Sequence, residues 1–295
     1  MKALIFGASG QDGHYLAQIC RANGVEPVGI SRSGTGEDGV VGDVSDFAQV
    51  VALVQAHAPD FIYHLAANST TRHTALFENH ATITTGVLNV LEAVYRHRPE
   101  AKVFITGSGV QFVNRGHPIS ERDEFDPSSA YAVARIQSGY AARYFRRLGV
   151  RAYVGYLFHH ESPLRKDHHV SQMIVRAVQR IAAGSPEILE IGDISVQKEW
   201  VFAGDVAQAI FDLTRQESVT EATIGSGVTH TIQEWLEVCF GLIGREWQDH
   251  VQVRSGFTPE YNRLVSDPVT IHSLGWRPKM DLTELARLML ESPTE

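Results

Sequence analysis

The chain has 295 residues, of which 43% are hydrophobic and 20% charged, which is typical of a globular protein with one large core or a core with an appended lobe. Its formal net charge of −8 argues against nucleic acid as a partner, because no excess of Lys and Arg is present to neutralise phosphates. The two cysteines lack metal-ligand spacing, no apolar run is long enough to cross a bilayer, and the N-terminus does not resemble a signal peptide, so we expect a cytoplasmic protein that neither binds nor spans a membrane.

Short apolar runs alternate with amphipathic stretches in the first half of the chain. Strands are predicted at residues 3–6, 27–30, 61–65, 102–106 and 152–158. Helices are predicted at residues 11–23, 47–56, 83–96 and 131–147. Strands that alternate with helices of this length imply crossover connections and a parallel sheet with helices on both faces. The strands are apolar throughout, as expected where both faces are covered. The predicted fold class is α/β, with a Rossmann-type doubly wound parallel sheet.

This alternation ends after Phe158. Residues 159–169 are polar and rich in His, Arg and Lys, which suggests a loop that lines a site. Further helices are predicted at residues 171–183, 205–215 and 232–242. We therefore predict a dinucleotide-binding domain at residues 1–158. A smaller C-terminal substrate-binding lobe at residues 159–295 is interleaved with it and closes over the carboxyl ends of its strands.

A glycine-rich segment follows the first predicted strand and opens the first helix. Glycines in this position permit a tight turn and let backbone N–H groups approach a pyrophosphate at the helix N-terminus. The strand–turn–helix context makes a dinucleotide site the better interpretation than a turn without a ligand. The candidate cofactor-binding residues of this loop are Gly7, Ser9, Gly10, Gln11, Asp12 and Gly13.

The end of the second predicted strand indicates the type of cofactor. NAD-binding proteins usually place an acidic residue there to hold the ribose 2′-OH, whereas this sequence has Arg32, which suits a 2′-phosphate. NADP(H) is therefore favoured over NAD(H). The alternative interpretation is that Arg32 is a surface arginine with no contact to a cofactor. Further candidate contacts with the cofactor are a turn near the adenine and small residues after a strand, namely Asp43 and Val44, and Leu65, Ala66 and Ala67.

A serine, a tyrosine and an arginine form the candidate catalytic group. Ser108 lies just beyond the predicted strand at residues 102–106, and Tyr131 and Arg135 stand four apart on one face of the next helix. A hydroxyl at a strand end and a tyrosine on the following helix can converge on one substrate oxygen. A tyrosine that acts as a base near neutral pH needs a nearby cation, which Arg135 would provide. In combination with the glycine loop, this favours catalysis over a packed aromatic residue.

Several longer motifs resemble one family. They are GASGQDGHYL at residues 7–16, HLAAN at 64–68, SAYAVAR at 129–135, LFHHESP at 157–163, IGD at 191–193 with KEW at 198–200, and LGWRP at 274–278. On these motifs the chain resembles the extended short-chain dehydrogenase/reductases, the NAD-dependent epimerase/dehydratase family, and among them the GDP-mannose 4,6-dehydratases. The similarity extends over nearly the whole length.

The resemblance implies roles for further residues. Ser108 and Tyr131 would orient and deprotonate a sugar hydroxyl while hydride passes between C4 and the nicotinamide, with Phe158 beside the cofactor. A GDP-linked sugar would be held by the loop at residues 159–171 and by basic residues elsewhere. The implied substrate contacts are Asn68, Ser108, His159, His160, Glu161, Val170, Ser171, Lys198 and Arg263. Relatives also pair the helices at 83–96 and 131–147 across a two-fold axis, which predicts a homodimer. The segment after Arg32 is shorter than the one that family tetramers use, so a tetramer stays open.

Two departures from the family pattern bear on the reaction. The family's catalytic lysine is here Arg135, which keeps the charge but hydrogen-bonds differently. Dehydratases of the family also carry a Glu shortly after the catalytic Ser or Thr, as the acid and base that removes water across C5 and C6. Depending on a one-residue shift, that position holds Val110 or Gly109, and the adjacent Gln111 cannot ionise.

Three functions follow as hypotheses. The first is NADP(H)-dependent hydride transfer at C4 of a nucleotide sugar, as a 4-keto reductase or epimerase. The alternative is a GDP-mannose 4,6-dehydratase in which another residue replaces the missing carboxyl group. The third is a catalytically silent dinucleotide-binding sensor or scaffold, against which the intact Ser108 and Tyr131 argue. No metal is expected, because the histidines match no common zinc spacing.

Overall fold

The computed structural model describes residues 1–34, 39–68 and 70–293. Its strands are β1 (Lys2–Phe6), β2 (Glu26–Ser31), β3 (Gly39–Val41), β4 (Phe61–His64), β5 (Lys102–Ser108), β6 (Arg151–Leu157), β7 (His160–Glu161), β8 (Leu189–Ile191), β9 (Gln197–Lys198), β10 (Val201–Phe202), β11 (Glu221–Ile224), β12 (His230–Thr231), β13 (Val251–Val253) and β14 (Arg263–Leu264). Its α-helices are α1 (Gln11–Ala22), α2 (Phe47–His57), α3 (Leu76–Asn79), α4 (Gly86–His97), α5 (Ala130–Arg147), α6 (Val170–Ala182), α7 (Ala203–Thr214), α8 (Ile232–Leu242), α9 (Val269–Ser273) and α10 (Leu282–Glu291).

Seven of these strands form one parallel sheet in the order β11-β6-β5-β4-β1-β2-β3. Alternate residues of β1 enter two different cores. Leu4 and Phe6 pack with α2, α4 and α5, whereas Ala3 and Ile5 pack with α1 and α7. Both faces of the sheet are therefore covered by helices, which explains the unbroken apolar character of its strands. The predicted doubly wound parallel sheet is confirmed.

Local signals define the helices that matter for the site. The helix α1 begins after Gly10, which offers no side-chain cap, and ends before Gly24, whose φ of 70° suits glycine. The helix α5 begins after Ser129, whose hydroxyl accepts a hydrogen bond from the N–H of Ala132. Both helices therefore start at the edge of the sheet formed by the carboxyl ends of β1 and β5.

Three details differ from the sequence prediction. Ser108 is the last residue of β5 rather than a residue beyond it. The helix expected from residue 83 begins at Gly86 as α4, and residues 83–85 belong to a π-helical segment, His80–Thr85, that follows α3 and packs against α5. The short strand β3 was not predicted and pairs with β2. Residues 35–38, in the segment after Arg32, lie outside the described residues.

A third core forms a smaller unit from the C-terminal half of the chain. It gathers α6, α8 and α10 around Trp235, which stacks on Trp200 with ring centroids 4.6 Å apart. The chain returns to the sheet between these helices, because α7 packs on the α1 face and β11 pairs with β6. The division at residue 158 stays a prediction. Within the described ranges, no helix combines the length and apolar character needed to span a bilayer.

Candidate active site

The glycine loop lies against the end of β4 at distances that leave no room for side chains. A Cβ on Gly7, whose φ is 92°, would lie 2.7 Å from the backbone nitrogen of Ala66. A Cβ on Gly13 would lie 2.5 Å from the carbonyl oxygen of Gly7. Ser9 and Gly10 are exposed at the start of α1, where the first N–H groups of a helix have no intrahelical partner. These residues fit a dinucleotide, because the turn is tight and presents a helix N-terminus to a pyrophosphate.

The side chains of Gln11 and Asp12, which were predicted to bind the cofactor, contact the segment after β6. The amide of Gln11 donates to the carbonyl oxygen of His160 at 3.3 Å and accepts from the hydroxyl of Ser162 at 2.9 Å. Asp12 Oδ1 lies 2.9 Å from His160 Nε2. The two side chains therefore bind the segment after β6, and the backbone N–H groups of Gln11 and Asp12 stay available to a cofactor. The two most distinctive motifs of the sequence are in direct contact.

The remaining predicted cofactor residues line the same edge of the sheet. Arg32 is exposed just after β2, with no hydrogen bond or ion pair to any described residue. Asp43 accepts bonds from the N–H and hydroxyl of Ser45 and so shapes the turn before α2, while Val44 is buried. Leu65 and Ala66 adjoin the glycine loop, with Ala67 exposed beside them.

The candidate catalytic residues meet at the end of β5. The Arg135 guanidinium lies 5.1 Å from the centre of the Tyr131 ring, and its Nη1 donates to the carbonyl oxygen of Thr106 at 2.5 Å. Arg135 is only 3% exposed, and its Nε has no hydrogen-bond partner in the described structure. The N–H of Ser108 donates to Gln111 Oε1 at 2.8 Å, which fixes the backbone at the strand end. The arrangement presents a phenol, a hydroxyl and a fixed cation at one edge.

The structure distinguishes the two positions proposed for the missing carboxyl group. A Cβ on Gly109 would lie 2.8 Å from the Phe158 ring, so that position has no room for a side chain. Val110 instead lines a cavity and packs near Tyr131. The position facing the cavity is therefore Val110, which cannot carry a proton.

This cavity has a volume of about 870 Å³, enough for a nucleotide sugar. Of the residues predicted from the sequence, Arg263 belongs to its lining. It is held by a bond from Nη1 to the carbonyl oxygen of Gly116 and another from Nε to the hydroxyl of Thr229. The lining consists of Thr71, Arg72, Val110, Phe112, Asn114, Arg115, Gly116, Asp126, Ser128, Ser129, Glu260, Tyr261, Asn262, Arg263 and Leu264.

Two carboxyl groups of this lining were missed by the sequence analysis. Glu260 accepts a hydrogen bond from the hydroxyl of Thr71 at 2.5 Å. The N–H of Asp126 donates to the carbonyl oxygen of Gln111 at 2.8 Å, which places it beside the end of β5. The carboxylate of Asp126 has no partner among the described residues. A polar run, DPSS, directly before the helix that carries Tyr131 was the available signal for this region.

Buried charges surround the predicted substrate loop. Glu161 accepts a hydrogen bond from Ser171 at 2.7 Å and pairs with Arg165 at 3.3 Å. Burial would raise the pKa of Glu161, but Arg165 and Lys198 hold it below its usual value. Burial lowers the pKa of Lys198 to about 8, and its ammonium lies 4.6 Å from the centre of the Trp200 ring. Two cations therefore face one carboxylate, which leaves positive charge near the start of α6.

The other predicted substrate residues have contacts of their own. His159 Nε2 lies 3.0 Å from the hydroxyl of Tyr261, and burial lowers the pKa of His159 far below its usual value, so the ring is neutral. Val170 is the first residue of α6. Asn68 donates to Glu78 at 3.0 Å. Among the residues in the described ranges, no group of His, Cys, Asp or Glu is arranged to hold a metal ion.

The doubly wound sheet, the glycine loop at its carboxyl edge and the Ser108–Tyr131–Arg135 group define an extended short-chain dehydrogenase/reductase of the NAD-dependent epimerase/dehydratase type. Solved structures share this fold. UDP-glucose 4-epimerase of Thermus thermophilus, in complex with NAD, superposes with a TM-score of 0.83 at 23% identity, covering 99% of this chain and 98% of that chain. RMD from Pseudomonas aeruginosa, complexed with NADPH, superposes with a TM-score of 0.85 at 22% identity, covering 98% of this chain and 96% of that chain.

Sequence relatives define the family more narrowly. A family model described as GDP-mannose 4,6 dehydratase matches residues 4–289. GDP-mannose 4,6 dehydratase 1 of Arabidopsis thaliana is 32% identical over 326 residues, covering 99% of this chain and 90% of that protein. GDP-mannose 4,6 dehydratase of Drosophila melanogaster is 29% identical over 339 residues, covering 99% of this chain and 86% of that protein. The chain belongs to the GDP-mannose 4,6-dehydratase family. This membership favours the dehydratase alternative over the reductase or epimerase that the sequence analysis put first.

Proposed function

We propose that this chain acts on GDP-mannose as a 4,6-dehydratase and that its reaction begins with oxidation at C4 of the sugar. The observation that carries the proposal is the environment of Tyr131, whose ring faces the buried Arg135 at the end of β5 in a chain of this family. A nicotinamide dinucleotide, when bound, would accept the hydride from C4 and return it to C6 after water has left, so that the net change is the loss of one water. Tyr131 takes the proton of the C4 hydroxyl, and Ser108 orients that hydroxyl by a hydrogen bond. Arg135 places a fixed positive charge beside the ring of Tyr131.

NADP(H) is the proposed cofactor. Arg32 supports it, because an exposed guanidinium at the end of β2 that has no partner among the described residues can pair with a 2′-phosphate. Replacement of Arg32 by Glu should weaken NADP⁺ binding and strengthen NAD⁺ binding. Comparison of the two dissociation constants by calorimetry, in both proteins, tests this assignment.

The diphosphate of the substrate is assigned to the start of α6. An anion there meets a helix N-terminus together with Lys198 and Arg165, whose combined charge exceeds that of Glu161. Arg263, in the lining of the cavity, supplies a further guanidinium. The cavity extends from Tyr261, the partner of His159, to Val110, so the sugar lies towards β5.

Elimination of water needs a proton carrier that position 110 does not supply. We assign this role to Asp126, because this residue lines the same cavity as Val110, its backbone N–H bonds to Gln111 beside the end of β5, and its carboxylate has no partner in the described part of the chain. Glu260 also lines the cavity but is already bound by Thr71. Asp126 therefore serves as the acid and base for removal of water across C5 and C6.

The Asp126→Asn variant tests this assignment. Loss of a general acid and base lowers turnover by about 10²- to 10⁴-fold. We expect that loss in the rate of water elimination, measured by mass analysis of products, with the dissociation constant of GDP little changed. Glu260→Gln is the matched control and should retain most of the rate. Equal loss in both variants, or in neither, contradicts the assignment.

A second candidate is supported by Val110 itself. With an apolar residue at the position that faces the cavity, the same Ser108, Tyr131 and Arg135 suffice for reduction of a 4-keto sugar or for epimerisation at C4. Incubation with GDP-mannose and NADP⁺ separates the candidates. A product lighter by one water indicates the dehydratase, and an isomer of unchanged mass indicates the epimerase. Consumption of NADPH with a 4-keto sugar indicates the reductase, whereas binding of NADP⁺ with no turnover of any of these sugars indicates the sensor or scaffold.

A homodimer is proposed through α4 and α5. Five large apolar side chains on or directly after these neighbouring helices are between 41% and 58% exposed: Leu88, Tyr95, Tyr140, Tyr144 and Leu148. Apolar clusters of this kind on a protein surface mark interaction sites. The pairing of equivalent helices about a two-fold axis would cover them in both copies.

A further inference from the structure

We propose that His160, which is buried, and Asp12, which is half-buried, form an ion pair that positions the cofactor loop and the substrate loop relative to each other, so that breaking it weakens the binding of both ligands. The inference rests on the proposed function, which places a dinucleotide on the glycine loop and a nucleotide diphosphate on the loop at residues 159–171. The sequence analysis assigned Asp12 to one ligand and His160 to the other. The geometry points to a shared role for the two residues, as a link between the loops.

Hydrogen bonds between the two loops involve the side chains of Gln11, Asp12, His160 and Ser162. Asp12 and His160 meet at 2.9 Å. Gln11 bridges the backbone of His160 and the hydroxyl of Ser162. These residues are about 150 positions apart in the chain, so the contacts join the first turn of α1 to the segment that leaves the sheet after β6. Movement of one loop alone therefore breaks these hydrogen bonds, and only movement of both loops together preserves them.

The hydrogen bonds of His160 define its charge. Its Nδ1 lies 2.7 Å from the carbonyl oxygen of Phe158, and its Nε2 lies 2.9 Å from the Asp12 carboxylate. Both partners are acceptors, whereas a neutral imidazole carries only one N–H. The ring is therefore an imidazolium, and the Asp12 carboxylate is its counter-charge. Burial opposes this charge, but Asp12 raises the pKa of His160 above its usual value in spite of the nearby Arg165.

Each end of the pair continues into a predicted ligand-binding element. On one side, Asp12 belongs to the first turn of α1, directly after Gly10 and Gln11. On the other side, the residue after His160 is Glu161, which accepts a hydrogen bond from Ser171 in the first turn of α6. A buried pair that loses one partner leaves an uncompensated charge, so the loops are expected to separate when either side chain is replaced.

Dissociation constants measured on the full chain test this proposal without any assumption about the reaction. NADP⁺ and GDP are titrated separately into the wild-type protein and into the Asp12→Asn, His160→Gln and double variants. We expect His160→Gln to weaken NADP⁺ binding, and Asp12→Asn to weaken GDP binding, each by about fivefold or more. The double variant should bind no more weakly than the weaker single variant, because the two residues act as one unit. His14→Gln, a histidine on the exposed side of α1, should change neither constant.

Three results would overturn the inference. The first is that each variant weakens only the ligand of its own loop, and the second is that the two effects add. The third is a lower melting temperature with both constants unchanged, which would mean a purely structural pair. If Asp12→Asn does not fold, Asp12→Glu keeps the charge and should bind both ligands more tightly than a folded His160→Gln protein. If the wild-type protein binds neither NADP⁺ nor GDP, the proposed function is wrong and the coupling fails with it.

Discussion

At the scale of single residues, Arg135 shows how the family's lysine can be replaced. Its guanidinium faces the Tyr131 ring and also donates to the carbonyl oxygen of Thr106. A planar guanidinium can make both contacts at once, whereas an ammonium is a compact point charge on a flexible stem. The bond to Thr106 anchors the side chain to the strand that ends in Ser108. A positive charge therefore stays beside the tyrosine in a buried setting.

Tyr131→Phe tests the proton carrier directly. Removal of the hydroxyl should lower kcat by about 10²- to 10⁴-fold, because a general acid and base is lost while the ring and the fold remain. The dissociation constant of NADP⁺ should change little. Tyr140→Phe is the matched control, since Tyr140 lies on the same helix, is exposed, and keeps its ring. A Tyr131→Phe protein with near wild-type kcat would exclude the proposed role.

Lys198 gives a dependence on pH with a defined sign. Because burial lowers its pKa to about 8, its ammonium loses a proton as the pH rises through that value, and its attraction to a diphosphate is lost. The dissociation constant of GDP should therefore increase as the pH rises from one pH unit below the pKa of Lys198 to two pH units above it. Lys198→Arg stays charged throughout and should flatten the profile. The same decline in both proteins would assign the titration to another group.

The sequence was informative about these residues in different degrees. The placement of Ser108 at a strand end and of Tyr131 and Arg135 on the next helix could be predicted, because strand and helix patterns are local, whereas their catalytic role stays a prediction. The role of Gln11 and Asp12 could not, because their partners lie about 150 residues away and no spacing rule connects them. Asp126 escaped notice for the same reason, since only the fold brings it to the cavity that Val110 lines.

At the scale of elements, the turn from β1 into α1 depends on a close approach of backbone to backbone. Gly13→Ala places a methyl group 2.5 Å from the carbonyl oxygen of Gly7, and backbone cannot rotate away as a side chain can. Such overpacking costs about 1–3 kcal/mol, and the displaced loop should bind NADP⁺ at least about tenfold more weakly. Calorimetry and thermal denaturation measure the two effects.

Gly241→Ala is the matched control for this substitution. Gly241 lies in α8, and a Cβ there meets no atom within 4 Å. Alanine should therefore raise the free energy of unfolding by about 0.5 kcal/mol and leave NADP⁺ binding unchanged. If Gly13→Ala bound NADP⁺ as tightly as this control, the glycine loop would not hold the cofactor.

The alternation of strands and helices could be predicted because each buried strand is uniformly apolar and each helix has one apolar face. The π-helical segment His80–Thr85 and the strand β3 could not. The first depends on packing against α5, and the second is a three-residue strand that is stabilised by its pairing with β2. Elements of this length carry too little periodicity for a local signal.

At the scale of the whole molecule, the exposed apolar side chains of α4 and α5 predict association. Native mass analysis at micromolar concentration should give a dimer. Leu88→Glu with Tyr144→Glu places charges in the centre of the patch and should give a monomer with unchanged secondary structure. Ile188→Glu, at an exposed apolar residue of the smaller unit, is the control and should stay dimeric. A wild-type monomer would refute the predicted dimer.

Loss of water from GDP-mannose can be observed in a single assay. Purified protein is incubated with GDP-mannose and NADP⁺, and the products are analysed by mass. The account predicts a GDP-linked product that is lighter by one water, formed at a rate that depends on Tyr131 and Asp126. GDP-mannose recovered with unchanged mass, from protein that binds NADP⁺, would contradict it.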